Sequence, residues 1–137
     1  MITDTDKVFL HVAEQIAKLS THPVFAVGAV LVIPGLPTVC STGFNVEGVV
    51  HAEHMAIESL NGFLFDTEKG KLPKVTLYVT HPPCDACANI IILQGNINRV
   101  VWKAGSPDFM EKWKISHNRA IQKFNNRMIE TCEVLKL

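Results

Sequence analysis

The chain carries no charge imbalance, with thirteen Lys and Arg against thirteen Asp and Glu. A polynucleotide binder ordinarily shows a basic excess or a basic stripe, so nucleic acid is not an expected partner. No apolar run reaches the length of a membrane span, and no signal-peptide or lipidation pattern is present. The expected compartment is therefore a reducing cytoplasm, with no membrane partner. There is also no internal repeat, low-complexity segment or convincing linker. Residues 1–137 read as a single domain, large enough to bury about two thirds of the surface its unfolded chain exposes. Cysteine is sparse, at four residues, and such a compartment disfavours a disulfide framework. Cys40, in a strand-like run, and Cys132, near the C-terminal strand, read as buried free thiols.

What is present is concentrated in two short stretches, His51-Ala52-Glu53 and Pro83-Cys84-Asp85-Ala86-Cys87. Zinc takes imidazole nitrogen and thiolate sulfur, and a catalytic zinc keeps three protein ligands and one open position. His51, Cys84 and Cys87 supply such a set. The two cysteines stand three apart, which puts both on one face of a helix that begins there, and Pro83 suits its entry. The unpaired amides and the dipole at a helix start are expected to lower both thiol pKa values. Residues two apart cannot share a target midway along a helix, so His51 and Glu53 belong to a first turn. The site is thus expected between two helix N-termini, with Glu53 beside the metal as proton carrier. A competing reading is a structural zinc, closed by His54 into a Cys2His2 tetrahedron. However, His-x-Glu followed by Pro-Cys-x-x-Cys is the pattern of zinc-dependent nucleobase deaminases, in which Glu is the acid/base and not a ligand.

The longer stretches Thr76-Leu-Tyr-Val-Thr-His-Pro-Pro-Cys-Asp-Ala-Cys-Ala88, Val27-Gly-Ala-Val30, Ser41-Thr-Gly-Phe-Asn45 and His51-Ala-Glu-His-Met-Ala-Ile57 resemble the cytidine and deoxycytidylate deaminase superfamily. Within it the chain is most similar to short, phage-type deoxycytidylate deaminases. The resemblance implies an α/β domain of three layers, α/β/α, around a mixed five-stranded sheet. It also implies a zinc cofactor, a small nucleotide substrate, a homo-oligomer, and substrate contacts at Asn45, Ala52, His81 and Pro82. Read from the sequence alone, Asn45 equally suits a turn or cap, and His81 either packs locally or lines the base pocket. One departure is the link from Asn45 to His51, only Val46-Glu47-Gly48-Val49-Val50. It is shorter than in those relatives and calls for a different phosphate contact.

Periodicity supplies the frame. A first helix from Asp4 or Thr5 carries Val8, Phe9, Val12, Ile16 and Leu19 and stops at Thr21-His22-Pro23. Two β-rich runs, Phe25 to Ile33 and Val39 to Asn45, form a hairpin across Pro34-Gly35-Leu36-Pro37. A helix from about Ala52 to Leu60, a loop from Gly62 to Lys74 with Phe63, Leu64 and Phe65, and a buried strand from Val75 to Thr80 follow. After Gly95 come a strand over Arg99 to Trp102, a long amphipathic helix marked by Phe109, Trp113, Ala120 and Phe124, and a last strand within Met128 to Leu137. A helix between the last two strands makes them parallel. In the superfamily, that arrangement accompanies deoxycytidylate and nucleic-acid deaminases rather than free-cytidine enzymes. Lys103, Lys112, Lys114 and Arg119 are available near it, with no phosphate ligand singled out among them. The expected reaction is hydrolytic deamination of dCMP to dUMP with release of ammonia. The alternatives are a tRNA adenosine deaminase, since His51-Ala-Glu-His-Met-Ala56 also resembles that group, and a non-catalytic zinc module mediating assembly. Phe63 to Phe65 and Ile90-Ile91-Ile92-Leu93 are the apolar surplus expected to serve an oligomer contact.

Overall fold

In the computed structural model of the chain the described residues are 2–35, 38–63 and 73–137, with 61–63 described by backbone alone. Their elements run α1 (Asp4–Ala17), β1 (Gly28–Ile33), β2 (Thr38–Phe44), α2 (Ala52–Phe63), β3 (Val75–Val79), α3 (Asp85–Gln94), β4 (Ile97–Lys103), α4 (Pro107–Asn126) and β5 (Glu130–Val134). The strands make one sheet in the order β2-β1-β3-β4-β5. β1 is antiparallel to β2 and β3, whereas β3, β4 and β5 run parallel. This is the mixed five-stranded sheet and the parallel final pair that the sequence implied. β1 and β3 are buried on both faces, which is why they read as continuous apolar runs. α1 covers one face, over Val30, Val32, Tyr78 and Val101. α2, α3 and α4 cover the other, over Leu31, Leu77, Val100 and Trp102.

Two expectations about apolar faces change. Val8 and Leu19 are exposed, at 56% and 59%, and the buried stripe of α1 is Asp6, Phe9, Leu10, Ala13 and Ala17. The rotation follows from Asp6, which caps the helix together with Thr3 and also points inward. In the Ile90 to Leu93 run, Ile91 is fully buried, Ile90 and Ile92 pack partly against the core, and only Leu93 stands out, at 86%. The run is therefore mostly core. Of the Phe63 to Phe65 cluster, Leu64 and Phe65 lie outside the described residues, and the side chain of Phe63 is not described.

The sheet and helix ends that matter converge at one place. The C-terminal ends of β2 and β3, the N-terminal end of β1, and the first turns of α2 and α3 all meet there. Ligands of open α/β sheets bind outside such strand ends. Gly43 makes the approach of α2 possible, because a Cβ there would come within 2.2 Å of the Ala52 carbonyl oxygen and 2.5 Å of the Ala56 nitrogen. Ser41 Oγ then donates to the Ala56 carbonyl at 2.8 Å.

The opposite end of the sheet is tied by a charged network. Arg99 of β4 donates twice to Asp6, at 2.7 and 2.8 Å, Tyr78 of β3 donates to the same carboxylate at 2.7 Å, and the Thr3 amide donates at 2.9 Å. Burial pushes the Asp6 carboxyl up, but the hydrogen bonds from Arg99, Thr3 and Tyr78 hold it well below the usual carboxylate range. A carboxyl depressed on folding stabilises fully above its unfolded pKa of about 3.9 and loses that contribution as pH falls through its folded value. Asp6→Asn should therefore cost on the order of 3 kcal/mol at neutral pH, since it removes the buried carboxylate that Arg99 and Tyr78 share and leaves Arg99 its ion pair with the exposed Glu130. Chemical denaturation should show the gap between variant and wild type closing below about pH 4. A gap of the same size at low and neutral pH would show that packing, not charge, carries the contact.

Candidate metal centre

His51 immediately precedes α2 and Cys84 is the N-cap residue of α3, which places Cys87 in its first turn. His51 Nδ1 lies 3.1 Å from Cys87 Sγ and 3.6 Å from Cys84 Sγ. The ligand atoms of all three side chains lie within 4.8 Å of one another. Two sulfurs and one imidazole gathered this closely suit zinc. His54 is not part of the group. Its Nε2 is buried without a partner, and its ring centroid lies 5.7 Å from that of His51. A four-ligand closed tetrahedron is therefore not what the described residues form.

Cys84 offers α3 no side-chain cap. The cap comes from α4: Ser116 Oγ accepts the Asp85 amide at 2.8 Å, and the buried His117 ring meets the Pro83 carbonyl at 2.8 Å. These two contacts hold the turn that carries both cysteines. The hydrogen bond from Cys87 brings Cys84 down to about 4, with His51 adding to the effect, whereas hydrogen bonding to Cys84 together with burial pushes Cys87 up. Hydrogen bonding to Cys84 raises His51. Glu53 is 5% exposed, and burial lifts its carboxyl to about 7. It also hydrogen-bonds to Cys87.

A cavity of about 390 Å³ opens over this cluster. Asn45, Ala52, Glu53, His81 and Pro82 line it together with His51 and Cys84, and Cys87 lies behind them. Asn45 is firmly held: its Oδ1 accepts from the Val27 amide at 2.8 Å and from Ser20, and its Nδ2 donates to the Phe25 carbonyl at 2.8 Å. These bonds tie Asn45 to the segment before β1 rather than making it the turn or cap foreseen, and one amide hydrogen is left over. Thr80 Oγ1 accepts from the Gly28 amide at 3.1 Å and lies within hydrogen-bond distance, 2.9 Å, of His81 Nδ1. His81 stands beside it in the cavity wall. Burial and the charge of Lys103 keep its pKa down at about 4. The short link after Asn45 closes on itself through a Val46–Val50 bridge, with Gly48 at φ +71°.

Several lining residues were not legible as such. Phe25, Phe109 and Trp113 wall the cavity, with Phe109 at 5.2 Å from Phe25, 4.9 Å from His81 and 6.2 Å from Trp113 between ring centroids. Phe109 and Trp113 share the helical spacing of true core positions. The only available signal was that both fall in the first two turns of α4, beyond the strand it follows.

The model of the cytidine and deoxycytidylate deaminase zinc-binding region matches residues 3–104. The chain belongs to this deaminase family. No curated protein sequence matches it. Among solved structures, it is similar to a Thermotoga maritima diaminohydroxyphosphoribosylaminopyrimidine deaminase/5-amino-6-(5-phosphoribosylamino)uracil reductase, with 31% identity and a TM-score of 0.72 over 94% of this chain. The match spans only 36% of that protein's length. A dCMP deaminase from cyanophage S-TIM5, solved with dCMP and dUMP, superposes with a TM-score of 0.74 at 17% identity, covering 98% of this chain and 99% of that one. A structure from work on A-to-I editing by tRNA:A34 deaminases aligns at 26% identity and a TM-score of 0.58 over 74% of this chain and 78% of its own. Family and cluster together make zinc the cofactor of this fold, with His51, Cys84 and Cys87 as the candidate site.

Cys87→Ser should lose zinc and destabilise the protein by on the order of 4 kcal/mol, because ligand-site energy is folding energy. Metal analysis with a thermal melt checks this. Full zinc content at unchanged stability would remove Cys87 from the ligand set.

Proposed function

We propose that residues 1–137 act as one zinc-dependent deaminase domain that hydrolyses the exocyclic amine of a cytosine nucleotide, dCMP to dUMP with release of ammonia. The carrying observation is Glu53, a nearly fully buried carboxyl in contact with the donor cluster at the floor of a cavity of nucleotide size. In this reading His51, Cys84 and Cys87 hold the metal. Zinc, when bound, brings the pKa of water down to about 7. Glu53 takes the two protons of the attacking water in turn, passing the first to the ring nitrogen and the second, from the hydroxyl then on C4, to the departing amine. The water oxygen stays on C4, the amine leaves as ammonia, and the cytosine ring becomes uracil. His81 lines the pocket for the base. Asn45 has one amide hydrogen for a sugar oxygen, and Ala52 and Pro82 shape the floor.

The cyanophage enzyme's likeness in size and fold is consistent with dCMP, and the zero net charge is consistent with a small substrate. A second reading is favoured by the higher identity to the Thermotoga protein: an aminopyrimidine carrying a phosphoribosylamino group. A tRNA adenosine deaminase has the motif and a 26% identical relative in its favour, but zero net charge favours it less than a small substrate. A second copy of this chain is the expected macromolecular partner, with Leu93 as exposed apolar surface. Light scattering at micromolar concentration tests this, and a monomer would end it. No helix among the described residues is long and apolar enough to cross a membrane, which fits a site of action in the cytoplasm.

Ammonia release across a panel of cytosine and adenine nucleosides and nucleotides, with a phosphoribosylaminopyrimidine included, decides among these. dCMP should be the best substrate. Glu53→Gln should keep zinc and fold while turnover falls about 10²- to 10⁴-fold. Most of the activity surviving in that variant would deny Glu53 the proton-carrying role.

A further inference from the structure

We infer that Lys112, on α4, is the contact that selects a 5′-phosphate monoester at the mouth of this cavity. The inference rests on the nucleotide reading above and supplies what the short Val46–Val50 link leaves open. Among the described residues lining the cavity, Lys112 is the only lysine or arginine. It is also unspent. The ion pairs of the described residues engage His11, Lys103, Arg99 and Lys123, and Lys112 takes part in none of them. Its ammonium lies 5.4 Å from the Trp113 ring centroid, and the Trp113 ring meets that of His51 edge-on at 6.4 Å. These contacts place the ammonium on the side of α4 that carries Trp113 into the cavity wall. An aromatic face holds an ammonium without neutralising it, so the charge remains available to an anion.

The remaining charged and titratable groups set a direction. Glu53 is buried at the floor beside the donor cluster, whereas Lys112 and Glu47 are exposed at the rim. A nucleotide entering phosphate-first meets a carboxyl at the floor. One entering base-first leaves its phosphate at the rim, beside Lys112. His22, also at the cavity wall, accepts the Val24 and Phe25 amides on Nδ1, at 3.1 and 2.9 Å, so Nε2 carries its hydrogen and is a second donor. Glu47 on the loop opposes an anion, which makes the lysine the element on which phosphate selection depends.

The test compares wild type, Lys112→Met and Lys112→Arg as zinc-loaded proteins. Equilibrium binding is measured by calorimetry for two pairs, dUMP against deoxyuridine and adenosine monophosphate against adenosine, at low and at physiological salt. Whichever base is preferred, the quantity read is the affinity ratio of monophosphate to nucleoside. Wild type should favour the monophosphate. Lys112→Met should lower that ratio about tenfold and flatten its salt dependence, whereas Lys112→Arg should keep most of it. A ratio unchanged in Lys112→Met, or a wild type that binds nucleoside and monophosphate equally, overturns the inference. Preference for the adenine pair with the ratio still falling would overturn the cytosine reading and leave the role of Lys112 standing.

Discussion

Two helix starts meet at one end of the sheet, and the proximity of their first residues is the constraint from which the rest follows. His51 enters α2 and Cys84 caps α3, and the imidazole and thiols come within 3.1 and 3.6 Å of one another. A helix start is rich in unpaired amides, which makes it a favourable place for a thiolate. The convergence is set by groups that do no chemistry. Gly43 removes the side chain that would push α2 off β2. Ser116 and His117 of α4 hold the turn carrying the cysteines from the far side. Glu53, buried beside the cluster, has its carboxyl raised to about 7 by that burial, which suits the proton-carrying role proposed for it.

The molecule divides its polar groups between the ends of the sheet. At one end Asp6, Tyr78 and Arg99 satisfy each other across α1, β3 and β4, which locks the layers together. At the other, groups are left incomplete: a ligand set of three, a leftover amide hydrogen on Asn45 and an ammonium on Lys112. Incomplete polar groups at a cavity are what a substrate completes, whereas those of the Asp6 network are paired within the protein.

The sequence disclosed those parts whose chemistry restricts residue type and spacing. The His-x-Glu and Pro-Cys-x-x-Cys stretches were legible because few side chains bind zinc, and the helix starts around them followed from the offset of two and three residues. The parallel pairing of β4 and β5 was legible because the 20 residues of α4 cannot form a hairpin. The contacts joining distant positions were not. Asp6 and Arg99 stand 93 residues apart, and nothing local marks Asp6 as buried. Phe109 and Trp113 share the spacing of Ala120 and Phe124, because periodicity shows which face is covered and not whether protein or ligand covers it. The apolar look of Ile90 to Leu93 was misleading as to surface for the same reason, since α3 is packed between α2 and α4.

If the cluster holds zinc with three protein ligands and keeps one position for water, X-ray absorption at the zinc edge, on purified protein with and without dUMP, should show it. Two sulfur and two nitrogen or oxygen neighbours are expected, with one of the light neighbours changing when the nucleotide is added and the spectrum otherwise unaffected by His54→Ala. A closed set of four protein ligands, unchanged by nucleotide and altered by His54→Ala, would contradict it and leave a structural zinc in its place.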